Sequence, residues 1–171
     1  MRALGLALLV ACGPPAPVPP KVPAALALPG ACVDPLVDAR QRLGPDAHDG
    51  PLRVERMVDL DGDGTTDPYV THEVFCGTGG CRWQLYVQRE GCAHHVGELF
   101  GMTPLPTEDP RKHGLLSLVV IVRAGCAGLA RAETRVVFDG TRYVPVAERK
   151  CTCPTEESSP GEACEPWKEL P

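Results

Sequence analysis

The chain has 171 residues, with 17 Lys and Arg against 22 Asp and Glu. That mild acidity, with no basic patch interleaved with aromatics, excludes nucleic acid as a partner. About 120 residues lie between a proline-rich start and a C-terminal tail, enough for one hydrophobic core and not two.

Met1-Arg2 precedes an apolar run from Ala3 to Val10. The run is too short to span a bilayer, which takes about 20 residues. It fits the apolar region of a secretory signal peptide. Leu9-Val10-Ala11-Cys12 closes it and resembles the lipobox of bacterial lipoproteins. In that family the residues before the cysteine are removed and the cysteine becomes the acylated N-terminus. The resemblance implies a signal peptide over 1–11, lipid attachment at Cys12, and a membrane as partner, because three acyl chains exceed the two signals that stable anchoring needs. Gly13 stands where the family places Asp for inner-membrane retention. The resemblance therefore points to the outer membrane, facing the periplasm or the surface. The rival reading is an ordinary signal peptide with a chance cysteine. Residues 12–30 hold Pro14, Pro15, Pro17, Pro19, Pro20, Pro23 and Pro29. Proline removes backbone donors and favours extended polyproline II, so this stretch reads as a semi-rigid tether.

Residues 31–150 read as the globular domain. Asp34-Pro35 opens a short helix, with Asp34 as N-cap and Pro35 at the first helical position. Leu36, Ala39, Arg40 and Leu43 keep helical spacing and Gly44 ends it. The rest is β-like: Leu52 to Val58, Tyr69 to Phe75, Arg82 to Gln88, Val96 to Phe100, Leu115 to Val122, Arg135 to Phe138 and Arg142 to Val146. Leu115 to Val122 is nearly all apolar and reads as a central strand buried on both faces. Asp139-Gly140 marks a hairpin. The expected fold is mainly β: a single antiparallel β-sheet domain with one short N-terminal helix, rich in disulfides.

Between the first two strands lies Asp59-Leu60-Asp61-Gly62-Asp63-Gly64-Thr65-Thr66-Asp67. Four carboxylates with no Lys or Arg among them repel one another unless a cation sits between them. Asp59, Asp61 and Asp63 fill positions 1, 3 and 5 of a calcium loop, Gly64 the turn, Thr65 the carbonyl position and Asp67 position 9. Position 12, where an EF-hand needs glutamate, is Val70, so that reading fails. The pattern D-x-D-G-D-G-x-x-D between strands resembles the calcium loops of FG-GAP/VCBS and integrin-type repeats, over about residues 54–70. Those families build propellers from several copies, and this chain has one. Only the ion loop carries over, implying a structural calcium of millimolar-class affinity. The alternative is a plain Asp-Gly turn.

Without Cys12, eight of the nine cysteines remain: Cys32, Cys76, Cys81, Cys92, Cys126, Cys151, Cys153 and Cys164. An even count in an oxidising compartment implies disulfides, with on the order of a hundred connectivities open. Cys76 and Cys81 flank a glycine turn and are expected to pair. One of Cys151 and Cys153 is expected to bond Cys164 and close the tail. Cys92 with Cys126 is a further expectation, leaving Cys32 to pin the helix. The rival is zinc held by Cys76, Cys81 and His94 or His95. The tail, 151–171, is rich in proline, serine and glutamate and reads as irregular. Trp167 is its one large aromatic, packed back on the domain or lone on the surface.

No catalytic set stands out. Ser117 lies in an apolar stretch, and Ser158 and Ser159 lie in the tail. His72-Glu73 lacks the second histidine of a zinc-protease motif. His94 and His95 are neighbours in a strand and face opposite sides. Glu73, Glu90, Glu98 and Glu133 are the acids that could converge as a glycosidase pair. Two functions follow. One is a lipid-anchored, calcium-stabilised binding or structural module with an envelope protein partner, signalled by an exposed patch around Trp83, Tyr86 and Phe100. The other is a small envelope hydrolase with a calcium-adjacent site, signalled by a concave pocket holding two acids or a histidine with shifted pKa.

Overall fold

The computed structural model describes residues 27–125, 130–153 and 164–171, without the side chains of 56 and 57. The signal peptide, Cys12, the prolines before residue 27, Cys126, Ser158 and Ser159 lie outside the described residues.

The helix forms where its caps dictate. Helix α1 spans Pro35–Leu43. Asp34 Oδ1 accepts the Leu36 and Val37 N–H groups at 2.8 and 3.1 Å, satisfying donors that the first turn leaves unpaired. Gly44, at φ 90°, ends it. The Arg40 guanidinium then gathers the carbonyls of Ala47, His48 and Gly50 and fixes the way into the first strand.

The fold is mainly β: among the described residues ten strands follow, all antiparallel, in two five-stranded sheets. The first sheet holds β1 (Leu52–Val58), β2 (Asp67–His72), β3 (Cys76–Gly77), β4 (Gly80–Arg89) and β5 (Cys92–Gly101). Strand β4 is its centre, with β2 and β3 on one side and β5 along the other. The second sheet is a meander of β6 (Leu105–Pro106), β7 (Leu118–Arg123), β8 (Arg131–Phe138), β9 (Tyr143–Cys151) and β10 (Lys168–Glu169). The inner faces meet in one apolar cluster: Tyr69, Trp83, Leu85 and Val87 from the first sheet, Leu118, Val120, Val136 and Phe138 from the second. Helix α1 covers the outer face of the first sheet, where Ala39 joins Val70, Tyr86 and Ala93. The layers are helix, sheet, sheet.

Several boundaries move. Val74 and Phe75 leave the strand for a 3₁₀ turn capped by the His72 side chain. The run read as doubly buried alternates instead: Leu118 and Val120 face the core, and Val119 and Ile121 are half-buried on the outer face. Its apolarity reflects one shared inner face and partial cover outside. The tail contributes a strand, β10, that pairs with β9. Trp167 is held between the guanidinium groups of Arg135 and Arg149, 4.6 and 4.5 Å from its ring centre.

Three disulfides are described: Cys32–Cys92, Cys76–Cys81 and Cys151–Cys164. Cys153 is also disulfide-bonded. The glycine-turn pair and the tail pair fall as expected. The expected Cys92–Cys126 bond is corrected: Cys92 pairs with Cys32. The segment before α1 lies against β5 through a Val33–Ala93 bridge, and this brings Cys32 beside the start of that strand.

Candidate metal centre

Strand β1 ends at Val58 and β2 begins at Asp67, so the acidic loop joins two paired strands. It is built from its own side chains. Asp59 accepts the N–H groups of Gly62 and Gly64 at 2.7 and 2.9 Å, and Asp63 accepts that of Thr65 at 2.7 Å. Gly62 and Gly64 take φ of 78° and 93°, which side-chain-bearing residues rarely adopt. Asp67 is fully buried and accepts the N–H groups of Leu60 and Gln88, both at 2.7 Å, tying the loop to β4.

Carboxylate oxygens of Asp59, Asp61 and Asp67 all lie within 4.8 Å of one another. Asp61 is 5% exposed, and its Oδ2 is buried with no hydrogen-bond partner. The Arg89 Nη2 lies 3.0 Å from that oxygen, near enough for charge attraction but not aligned as a hydrogen bond. Burial, reinforced by Asp63 and Asp59, raises the Asp61 carboxyl above its ordinary range. Burial does the same to Asp67, pushing it up to about 7 against the backbone hydrogen bonds that favour its charge. The donor set is all oxygen, partly buried and short of positive charge, which suits a hard divalent cation.

Of the five residues expected as ligands, the structure brings three together. Asp63 is exposed and spent on its own turn, outside the converged group. Thr65 is exposed on the rim of the loop. Sequence reading missed two bordering cations, Arg89 on β4 and Arg111, whose guanidinium lies against Gly62. Both come from distant segments, and no local pattern points to them. When ionised, the four carboxylates of the loop outnumber these two guanidinium groups.

The other candidates separate. Zinc at Cys76 and Cys81 is corrected, because the two thiols are bonded to each other. Glu133, Cys151 and Cys164 also cluster, but the cysteines form a disulfide. His72 is structural: Nε2 donates to the Asp49 carbonyl at 2.7 Å and Nδ1 accepts the Val74 N–H at 3.2 Å. His94 and His95 face opposite sides of β5, as expected, His94 registering against Val87 and His95 against Tyr86. The expected aromatic patch is corrected. Trp83 and Tyr86 are buried, one in each core layer, and Phe100 alone is exposed. A scan of protein-family models and searches of curated proteins and of solved structures find no match to this chain.

Proposed function

We propose that the protein is a lipid-anchored module of the bacterial cell envelope, a calcium-braced β-sandwich that binds or scaffolds rather than catalyses. The observation that carries the reading is the convergence of Asp59, Asp61 and Asp67, with a buried Asp61 oxygen that no hydrogen bond satisfies. A cation there ties the β1–β2 loop to β4 through Asp67 and lets the loop hold its acids ionised. The disulfides suit an oxidising compartment, in line with the lipobox at Leu9-Val10-Ala11-Cys12. The anchor supplies the location and the sandwich supplies a rigid, exported body.

Two measurements test the two halves. Mass spectrometry of the full chain expressed in a bacterial host should find Cys12 acylated and N-terminal, and Cys12→Ser should leave the membrane fraction. An unmodified Cys12 sinks the anchor. Calorimetric titration with calcium should show one site of millimolar class that Asp61→Asn removes. The hydrolase reading has in its favour a polar cleft at His95, whose imidazole is held below its ordinary range, but the one carboxylate that lines it, Glu98, is already engaged by Arg82 and Gln84.

A further inference from the structure

The part of the first sheet's outer face that α1 leaves uncovered is polar where a buried face is usually apolar. Gln84, fully buried on β4, is the hinge of a fixed chain. Arg82 Nε contacts Glu98 Oε1 at 2.8 Å, and Gln84 Nε2 donates to Glu98 Oε2 at 2.6 Å. With its amide nitrogen so engaged, Gln84 turns Oε1 to His95 Nε2 at 2.9 Å, which makes that nitrogen the donor. A second chain runs beside it. Arg42 Nε donates to Asp38 Oδ2 at 2.6 Å, and the Tyr86 hydroxyl donates to the same oxygen at 2.8 Å. The Tyr86 ring meets His95 edge-on at 5.3 Å. Together these chains lock the rotamers of His95 and Arg42.

They form one side of a cleft of about 580 Å³. The other side is the β8–β9 turn, with Thr141 and Arg142, held in place because Asp139 accepts both of their N–H groups at 2.7 and 2.9 Å. The size is that of a small-molecule site, and preorganised polar groups around a concavity mark such sites. Arg42, which also pairs with Asp38, and Arg142 both line the space, together with one carboxylate, Glu98, that Arg82 neutralises and Gln84 hydrogen-bonds.

We propose that this cleft binds a small organic anion, its carboxylate or phosphate oxygens held between Arg42 and Arg142 above His95. Guanidinium groups match such oxygens in geometry as well as charge. His95 stays uncharged, because burial first and the Arg42 charge second oppose its protonation. It thus offers the ligand a ring rather than a third cation. The inference rests on the binding half of the function above and is independent of the calcium half.

The test is amide-shift mapping of the isotope-labelled full chain. It is titrated with methyl phosphate and, separately, succinate, neither of which removes calcium from solution, at ionic strength held with chloride, once in calcium and once in chelator. Expected are saturable shifts at Gly97, Thr141 and Arg142 in both conditions. They should weaken about tenfold in Arg142→Ala, the loss of one charge-assisted contact. Arg142 is exposed on a turn, so the variant keeps the fold, and an unchanged spectrum elsewhere verifies that. Saturation by either probe upholds the site and tells which oxyanion it takes. Shifts that match the chloride control, or an affinity unchanged in Arg142→Ala, overturn it. Saturation that survives in chelator separates this site from the acidic loop.

Discussion

Two buried acidic centres in this molecule are solved in opposite ways. On the outer face of the second sheet, Glu133 is 4% exposed and meets Arg131 Nε at 2.5 Å and Arg149 Nη2 at 2.7 Å. Burial alone would raise its carboxyl, but the hydrogen bonds from Arg131 and Arg149 outweigh it and hold Glu133 below its ordinary range. In the β1–β2 loop, Asp61 is as buried, but it sits among three other acids with one unaligned arginine. Its carboxyl is pushed up. One centre carries its own cations, Arg131 on the same strand and Arg149 on the neighbouring one; the other has a charge deficit, which on the reading proposed above an ion from outside makes up. A buried carboxylate is therefore not by itself a sign of a metal. The shortage of guanidinium around it is.

The largest expected effect comes from Asp67→Ala, which strips both backbone partners from the floor of the loop. Two buried N–H groups left unpaired cost about 2–4 kcal/mol, with and without calcium, read as a lower urea midpoint. Glu133→Ala comes next. It unpairs two arginines, but these are 24% and 30% exposed, so water screens much of the loss. A cost of about 1–2 kcal/mol, indifferent to calcium, is expected by thermal unfolding. If calcium restored this variant, the contrast between the centres would fail.

Acid sharpens the contrast further. The folded Glu133 carboxyl titrates below its unfolded value of 4.5. Its stabilisation is therefore complete above that pH and is lost as pH falls through the lower folded value. Urea midpoints across the acid range should fall in wild type and be flatter in Glu133→Gln. The smallest effect belongs to Asp63→Ala. Its side chain is exposed and caps one turn, so stability should change by about 0.5 kcal/mol or less, and the calcium response should survive. A complete loss of response in Asp63→Ala would redraw the ligand set.

What the sequence made legible was local chemistry. Asp34-Pro35 with Gly44 fixes α1 residue by residue, because capping acts over one turn. Asp139-Gly140 and the Cys76–Cys81 glycine turn fix hairpins for the same reason. The acidic loop was visible as spacing, and its position between two strands holds. What stayed hidden was set by distant segments. Cys32 reaches Cys92 across 60 residues because the chain before α1 bridges to β5. Arg89 and Arg111 border the loop through the pairing of β2 with β4 and through the path of the chain after β6. Trp83 and Tyr86, read as a surface patch, lie on opposite faces of a β4 that is covered on both sides, and one-strand reading cannot show that second cover. The cleft at His95 draws on α1, the first sheet and the β8–β9 turn, and its polar strand face was the only trace in the sequence.

The most direct test of the central claim is the thermal midpoint of wild type, Asp61→Ala and Glu133→Ala, each in millimolar calcium and in chelator. Calcium at tenfold over its dissociation constant should add about 1.4 kcal/mol, a rise of several degrees. That rise is expected in wild type and in the weakened Glu133→Ala, and none in Asp61→Ala. A wild-type midpoint that is the same in calcium and chelator would show that Arg89 and Arg111 suffice for the loop, and would contradict the account.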